Sequence, residues 1–124
     1  MNQPNIFLCY QTDWFKQKME KYARQVKLIP KTSLETLQFT TVQSKLAGVV
    51  IEIGNNLNEV QEFIIDNKLV PILPVVVVLH KQDWDCIRNC LYTDIDSIIH
   101  IDELHLFDVL TFKLFHQAEA KAIL

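Results

Sequence analysis

Glu52 is the acidic side chain best placed for chemistry in this sequence. It stands near the end of the apolar run 47–53, just before Gly54 and two asparagines, where a buried strand opens into a loop. Two histidines share that setting: His80 follows Val75-Val76-Val77-Val78-Leu79, and His100 follows Ser97-Ile98-Ile99. A carboxylate and two imidazoles at neighbouring strand ends would make a small pH-sensitive or metal-binding cluster. No HxH or HExxH spacing points to a metal, and the three residues read as ordinary loop positions. Cys86 and Cys90 are four apart and share a helix face, which is half a metal site or a redox pair; they read instead as small buried apolar residues. Two glycines cannot build a phosphate-cradling loop, and no Ser-His-Asp or Cys-His arrangement has local support. The expectation is a chain with no catalytic residue, no metal and no cofactor, and therefore not an enzyme.

These residues are positioned by short apolar runs that alternate with helical patterns. Strands are predicted at 6–10, 26–29, 47–53, 75–79 and 97–101. Pro30 should stop the second, and four consecutive valines make the fourth a central strand covered on both faces. Thr12 or Asp13 can cap a first helix carrying Phe15, Met19, Tyr22 and Val26. Thr32-Ser33-Leu34-Glu35 has capping-box spacing and opens a second, over 34–46. Further helices are predicted from Leu57 to near Asn67, from Asp83 through Ile87, Cys90 and Leu91, and from Asp102 to about Ala122. Five β-α units in one chain predict an α/β fold: a single three-layer domain over 1–124, with a parallel five-stranded sheet and helices on both faces. Strand order 2-1-3-4-5 is the flavodoxin-like solution, and it places the functional edge at the carboxyl ends of the strands.

Composition sets the outer limits. At 124 residues the chain is one domain, long enough to fold without disulfides or metal. Its 49% hydrophobic content excludes a disordered chain, and a net charge of −3 argues against direct nucleic-acid contact. The most apolar window, 69–79, contains Pro71 and Pro74 and is too short to cross a membrane. Three cysteines suggest reduced thiols, and with no secretory start visible the expected compartment is the cytoplasm.

Over nearly its whole length the chain resembles the receiver domain of bacterial response regulators. The resemblance rests on strand order, on Pro74 leading a hydrophobic fourth strand, on Leu79-His80-Lys81-Gln82-Asp83, and on Ile95-Asp96-Ser97-Ile98-Ile99. In that family a carboxylate ending the third strand accepts a phosphoryl group, two acids after the first strand hold Mg²⁺, and a hydroxyl and a lysine contact the phosphoryl group. The phosphoacceptor position falls here on Glu52, and the acidic pocket on Tyr10 and Gln11, with Asp13 the nearest acid. The switch positions fall on Leu79 and on Ile101, or on His100 if the register slips by one. The resemblance therefore implies a degenerate receiver that signals without phosphorylation. One version of this reading has the Glu52 carboxylate mimicking a phosphorylated aspartate. Tyr10 and Leu79 are expected to fill part of the crevice.

The same resemblance implies action through protein contacts, with a homodimer on the surface of the fourth helix, fifth strand and last helix. On a helical wheel Leu104, Phe107, Leu110, Leu114, Phe115 and Ala118 face inward, leaving Leu106, Val109 and Phe112 outside as interface candidates. Charge is divided: 16–31 holds six basic residues against Glu20, and 83–108 is acidic apart from Arg88, which suits a charge-steered partner or head-to-tail association. The domain is expected to be the amino-terminal part of a longer regulator, such as a transcription activator. The alternative is a small enzyme or nucleotide- or ligand-binding domain on a flavodoxin-like or Toll/interleukin-receptor-like topology. Phe7-Leu8-Cys9-Tyr10, followed by an acid and Trp14, resembles the opening of the latter.

Overall fold

The computed structural model describes residues 3–37, 40, 44–54, 56–66, 73–80 and 95–116. Its elements are β1 (Asn5–Cys9), α1 (Asp13–Tyr22), β2 (Lys27–Lys31), β3 (Leu46–Ile53), α2 (Leu57–Asp66), β4 (Val75–Leu79), β5 (Ser97–His100), a 3₁₀ helix (Ile101–Leu106) and α3 (Phe107–Phe115). The predicted helix around Cys86 and Cys90, residues 38, 39 and 41–43 of the one over 34–46, and the last turns toward Ala122 lie outside the described residues; Leu46, expected in that helix, begins β3.

All five strands are parallel, in the order β2-β1-β3-β4-β5. Alternation along each strand sends side chains to two separate cores. Phe7, Cys9, Ile51, Ile53, Val77 and Leu79 join Leu34, Leu37 and Val60 on one face. Ile6, Leu8, Val50, Val76, Val78 and Ile99 join Phe15 and Met19 of α1, Leu104 and Phe107 on the other. A sheet buried on both sides explains why its strands read as unbroken apolar runs. Gly48 has a steric reason in the α1-side core: a β-carbon there would collide with the Phe115 ring and lie 3.2 Å from the Pro74 carbonyl oxygen.

Two expectations need correction. Pro30 lies inside β2 and does not end it. Lys27 N–H bonds inward to Pro4 O, and Lys31 O accepts from Tyr10 N–H, so the alternating Pro30 turns its nitrogen toward the open margin of an edge strand. A missing donor costs least there. The last helix is not continuous from Asp102: a 3₁₀ segment precedes α3. Its tighter winding shifts the phase of the α-helical turns beyond it. Phe107, Thr111 and Phe115 are the buried stripe of α3, and Leu110, expected inward, is exposed. Thr111 is tolerated inside because its hydroxyl donates to Phe107 O at 2.7 Å.

Candidate functional site at the carboxyl edge of the sheet

The strand register brings four strand ends together. Cys9 is opposite Ile51, Glu52 opposite Val78, and Leu79 opposite both Ile53 and His100. Glu52 has the same parity as Val50, so it points to the face where α1 packs. It is fully buried. A buried carboxylate is costly unless every oxygen is satisfied, and this one is. Oε1 accepts from Gln11 N–H at 2.6 Å and Thr12 N–H at 3.0 Å. Oε2 accepts from the Thr12 hydroxyl at 2.9 Å and lies 2.8 Å from His80 Nε2.

The donors are fixed by neighbouring elements. Thr12 is the N-cap of α1, and its oxygen accepts from Phe15 N–H at 3.2 Å while its proton goes to Glu52. One hydroxyl serves both roles because it carries one donor and two lone pairs. The carboxylate also sits against the positive end of α1, which favours negative charge. Behind it, Asn56 Nδ2 donates to Glu52 O at 3.1 Å and Asn56 Oδ1 accepts from Gly54 N–H at 2.8 Å, closing the loop after β3. On the opposite face Cys9 is buried, and its thiol pKa is pushed up to about 12, first by loss of water and then by the negative charges of Glu59 and Glu52. It is a packing residue, not a nucleophile.

The geometry revises the sequence-derived assignments. Thr12, not Asp13, caps α1; Asp13 is its exposed first residue. Gln11 contributes its backbone N–H to the carboxylate, and its side-chain amide turns back to Tyr10 O. Tyr10 does not fill the crevice: it is half-buried against the α1-side core, with Lys16 Nζ 5.4 Å from its ring centroid. Leu79 is fully buried among Ile53 and Val77, on the face away from Glu52. The residue from β4 that reaches Glu52 is the next one, His80. His100 ends β5 with its N–H on Glu103 Oε1, and Ile101 packs into the α1-side core. Leu106, Val109 and Phe112 are all exposed, Val109 to 77%. Among the described residues no three His, Cys, Asp or Glu side chains group closely enough to hold a metal ion, and no helix is long and apolar enough to cross a membrane.

Thr12 escapes a reading of the sequence because capping alone accounts for it. A signal is present: a hydroxyl at a helix start, three residues past the end of the strand that neighbours β3.

No family model matches the sequence, and no curated protein does. Solved structures do. A CheY-like protein, TadZ, from Pseudomonas aeruginosa PAO1 superposes with a TM-score of 0.72 at 17% identity, covering 90% of this chain and 99% of that one. The chain has a receiver-domain fold. A response regulator in red light signalling of R. palustris, RPA3017, matches with a TM-score of 0.64 at 10% identity, covering 89% and 92%. The strand order agrees with this receiver fold, and Glu52 is the penultimate residue of its β3.

Proposed function

We propose that the chain is a non-catalytic, receiver-like signalling domain that works without phosphorylation, through contact with other protein surfaces. The observation that carries this reading is the fully buried Glu52 carboxylate, held by two backbone amides, the Thr12 hydroxyl and the His80 ring. An acceptor carboxylate must present a free oxygen to the incoming phosphorus and share the site with a metal. Here both oxygens are engaged, and the positions that would supply acids, a hydroxyl and a lysine hold Tyr10, Gln11, Leu79 and Ile101. Glu52 turns to the loop before α1 and not toward Leu79, which speaks against mimicry of a phosphorylated state. The carboxylate is better described as a plug that holds one conformation.

Output then belongs to the surface. Leu106, Val109 and Phe112 are apolar and exposed on the 3₁₀ helix and α3, which supports a homodimer built on this side of the fold. In a regulator of transcription, such a domain would supply the contact that assembles the effector. The test is intact-mass measurement after incubation with Mg²⁺ and a small phosphodonor. The expected result is an unmodified chain; a stoichiometric phosphoryl adduct that disappears in Glu52→Ala overturns the proposal.

A further inference from the structure

We propose that the groove between α1 and the 3₁₀ helix binds a short acidic peptide segment through one inserted apolar side chain and the lysines of α1. Trp14, Lys18 and Tyr22 form one wall, and Ile101, Leu104 and His105 the other. The volume is about 200 Å³. Pockets for whole small molecules run to roughly 300–1,000 Å³, so this one suits a single side chain. Its floor is apolar through Leu104, and Trp14 is 51% exposed beside it, an aromatic anchor with half its surface in solvent.

The charge around the groove chooses the partner. Lys16, Lys18 and Lys21 lie on α1 and Arg24 just after it, against Asp13 and Glu20. Among the described residues the ion pairs consist of Glu52 with His80, so these cations are not matched by carboxylates there. Three of them lie over rings instead: Lys16 over Tyr10, Lys18 over Trp14 at 5.8 Å and Lys21 over Tyr22 at 5.3 Å. Exposed cation–π contacts are weak and leave an ammonium group open to a carboxylate. Trp14 and Tyr22 thus hold the Lys18 and Lys21 ammonium groups beside a slot of mixed lining with Leu104 at its floor, complementary to a segment that carries acidic residues around one apolar side chain.

A nucleic acid fits less well. The basic row is one helix long, and the neighbouring element closes it with Asp102 on the groove wall and with Asp108, whose carboxylate accepts from Arg24 N–H and Gln25 N–H. A phosphate backbone continuing past the helix would also meet Asp108, whereas a short peptide seated on Leu104 can direct its acids to the α1 side, away from Asp102.

This inference is independent of the plugged sheet edge: peptide binding can fail while Glu52 stays unmodified, and the reverse. The experiment is fluorescence anisotropy with the full chain and a labelled acidic peptide containing one leucine. Affinity should fall steeply with added salt, as charge-steered contacts do. It should drop about tenfold or more in Trp14→Ala and in the double variant Lys18→Glu, Lys21→Glu. Thermal unfolding of each variant should match wild type, since these side chains are exposed or partly exposed. Equal binding of a peptide with lysines in place of the acids overturns the proposal. So does binding unchanged in the variants, or tighter binding of single-stranded DNA at the same salt concentration.

Discussion

Glu52 and Phe112 break the usual placement of residues in opposite directions. One is a carboxylate with no exposure, and the other a phenyl ring 51% exposed. Buried charge and exposed large apolar groups are the two informative departures in a folded chain. They are settled differently here. Glu52 finds its donors inside the molecule, in Gln11, Thr12 and His80. Phe112 stacks on His116, with ring centroids 4.3 Å apart, yet keeps half its surface in solvent, as do Leu106, Leu110 and Val109 nearby. The carboxyl edge is closed on itself, while the outer face of the last helix is open. Under the proposed function, contacts would be made at the surface and not in the crevice.

The contrast can be broken first at the closed end. Glu52→Ala strands the Gln11 and Thr12 amides and leaves a hole, and should cost about 3 kcal/mol or more. Urea unfolding measures it; a change within experimental error would show that the carboxylate is not held as described. His80→Ala should cost less, about 1 kcal/mol, because the ring is partly solvated and the three Thr12 and Gln11 bonds persist. A loss as large as that of Glu52→Ala would make the ring the main anchor.

Cys9 sharpens the picture beneath the same edge. Its thiol ordinarily ionises near 9.0, and in the fold only near about 12. Below pH 9 it is neutral in both states. Above that, the unfolded chain gives up its proton while the native thiol keeps it, so the native state loses stability as pH rises toward 12. Cys9→Ala should flatten that part of the alkaline stability profile, and a profile identical to wild type would place the thiol in a wetter setting. The smallest effect on stability belongs to the open face. Phe112→Asp should shift unfolding by less than about 0.5 kcal/mol, while sedimentation should change from dimer to monomer. A mutant that unfolds would put Phe112 inside, and a monomeric wild type would remove the interface.

How much of this was legible depended on whether period and environment agreed. Val75–Leu79 and Leu46–Ile53 announce themselves because a sheet covered on both sides needs no polar alternation, and their pairing completes the expected order. The last helix misled because a wheel drawn at one fixed angle cannot follow a 3₁₀ turn. Leu110 then looked inward, and Thr111, chemically the less apolar, took the place. At the site, Glu52 and His80 stood out as polar residues at strand ends, but Leu79 was assigned to the wrong side of the sheet. A strand end fixes the edge of the sheet, and only its parity fixes the face. Thr12 stayed hidden because capping already accounted for it.

Pro30 has a consequence for how copies of this protein can meet in a crowded solution. Its nitrogen faces the free margin of β2, so one donor is missing from the row that an incoming strand would need. Lys27 and Lys31 flank it, both exposed. A second sheet approaching that margin would meet a ring where it needs a hydrogen and would bring its backbone up to two ammonium groups, which is how natural edge strands resist growth into fibres. At the far margin, β5 offers only four residues. Neither rim invites continuation of the sheet from one molecule to the next. The dimer proposed above would therefore be built from side chains on helices, where contact can be specific, finite and reversible.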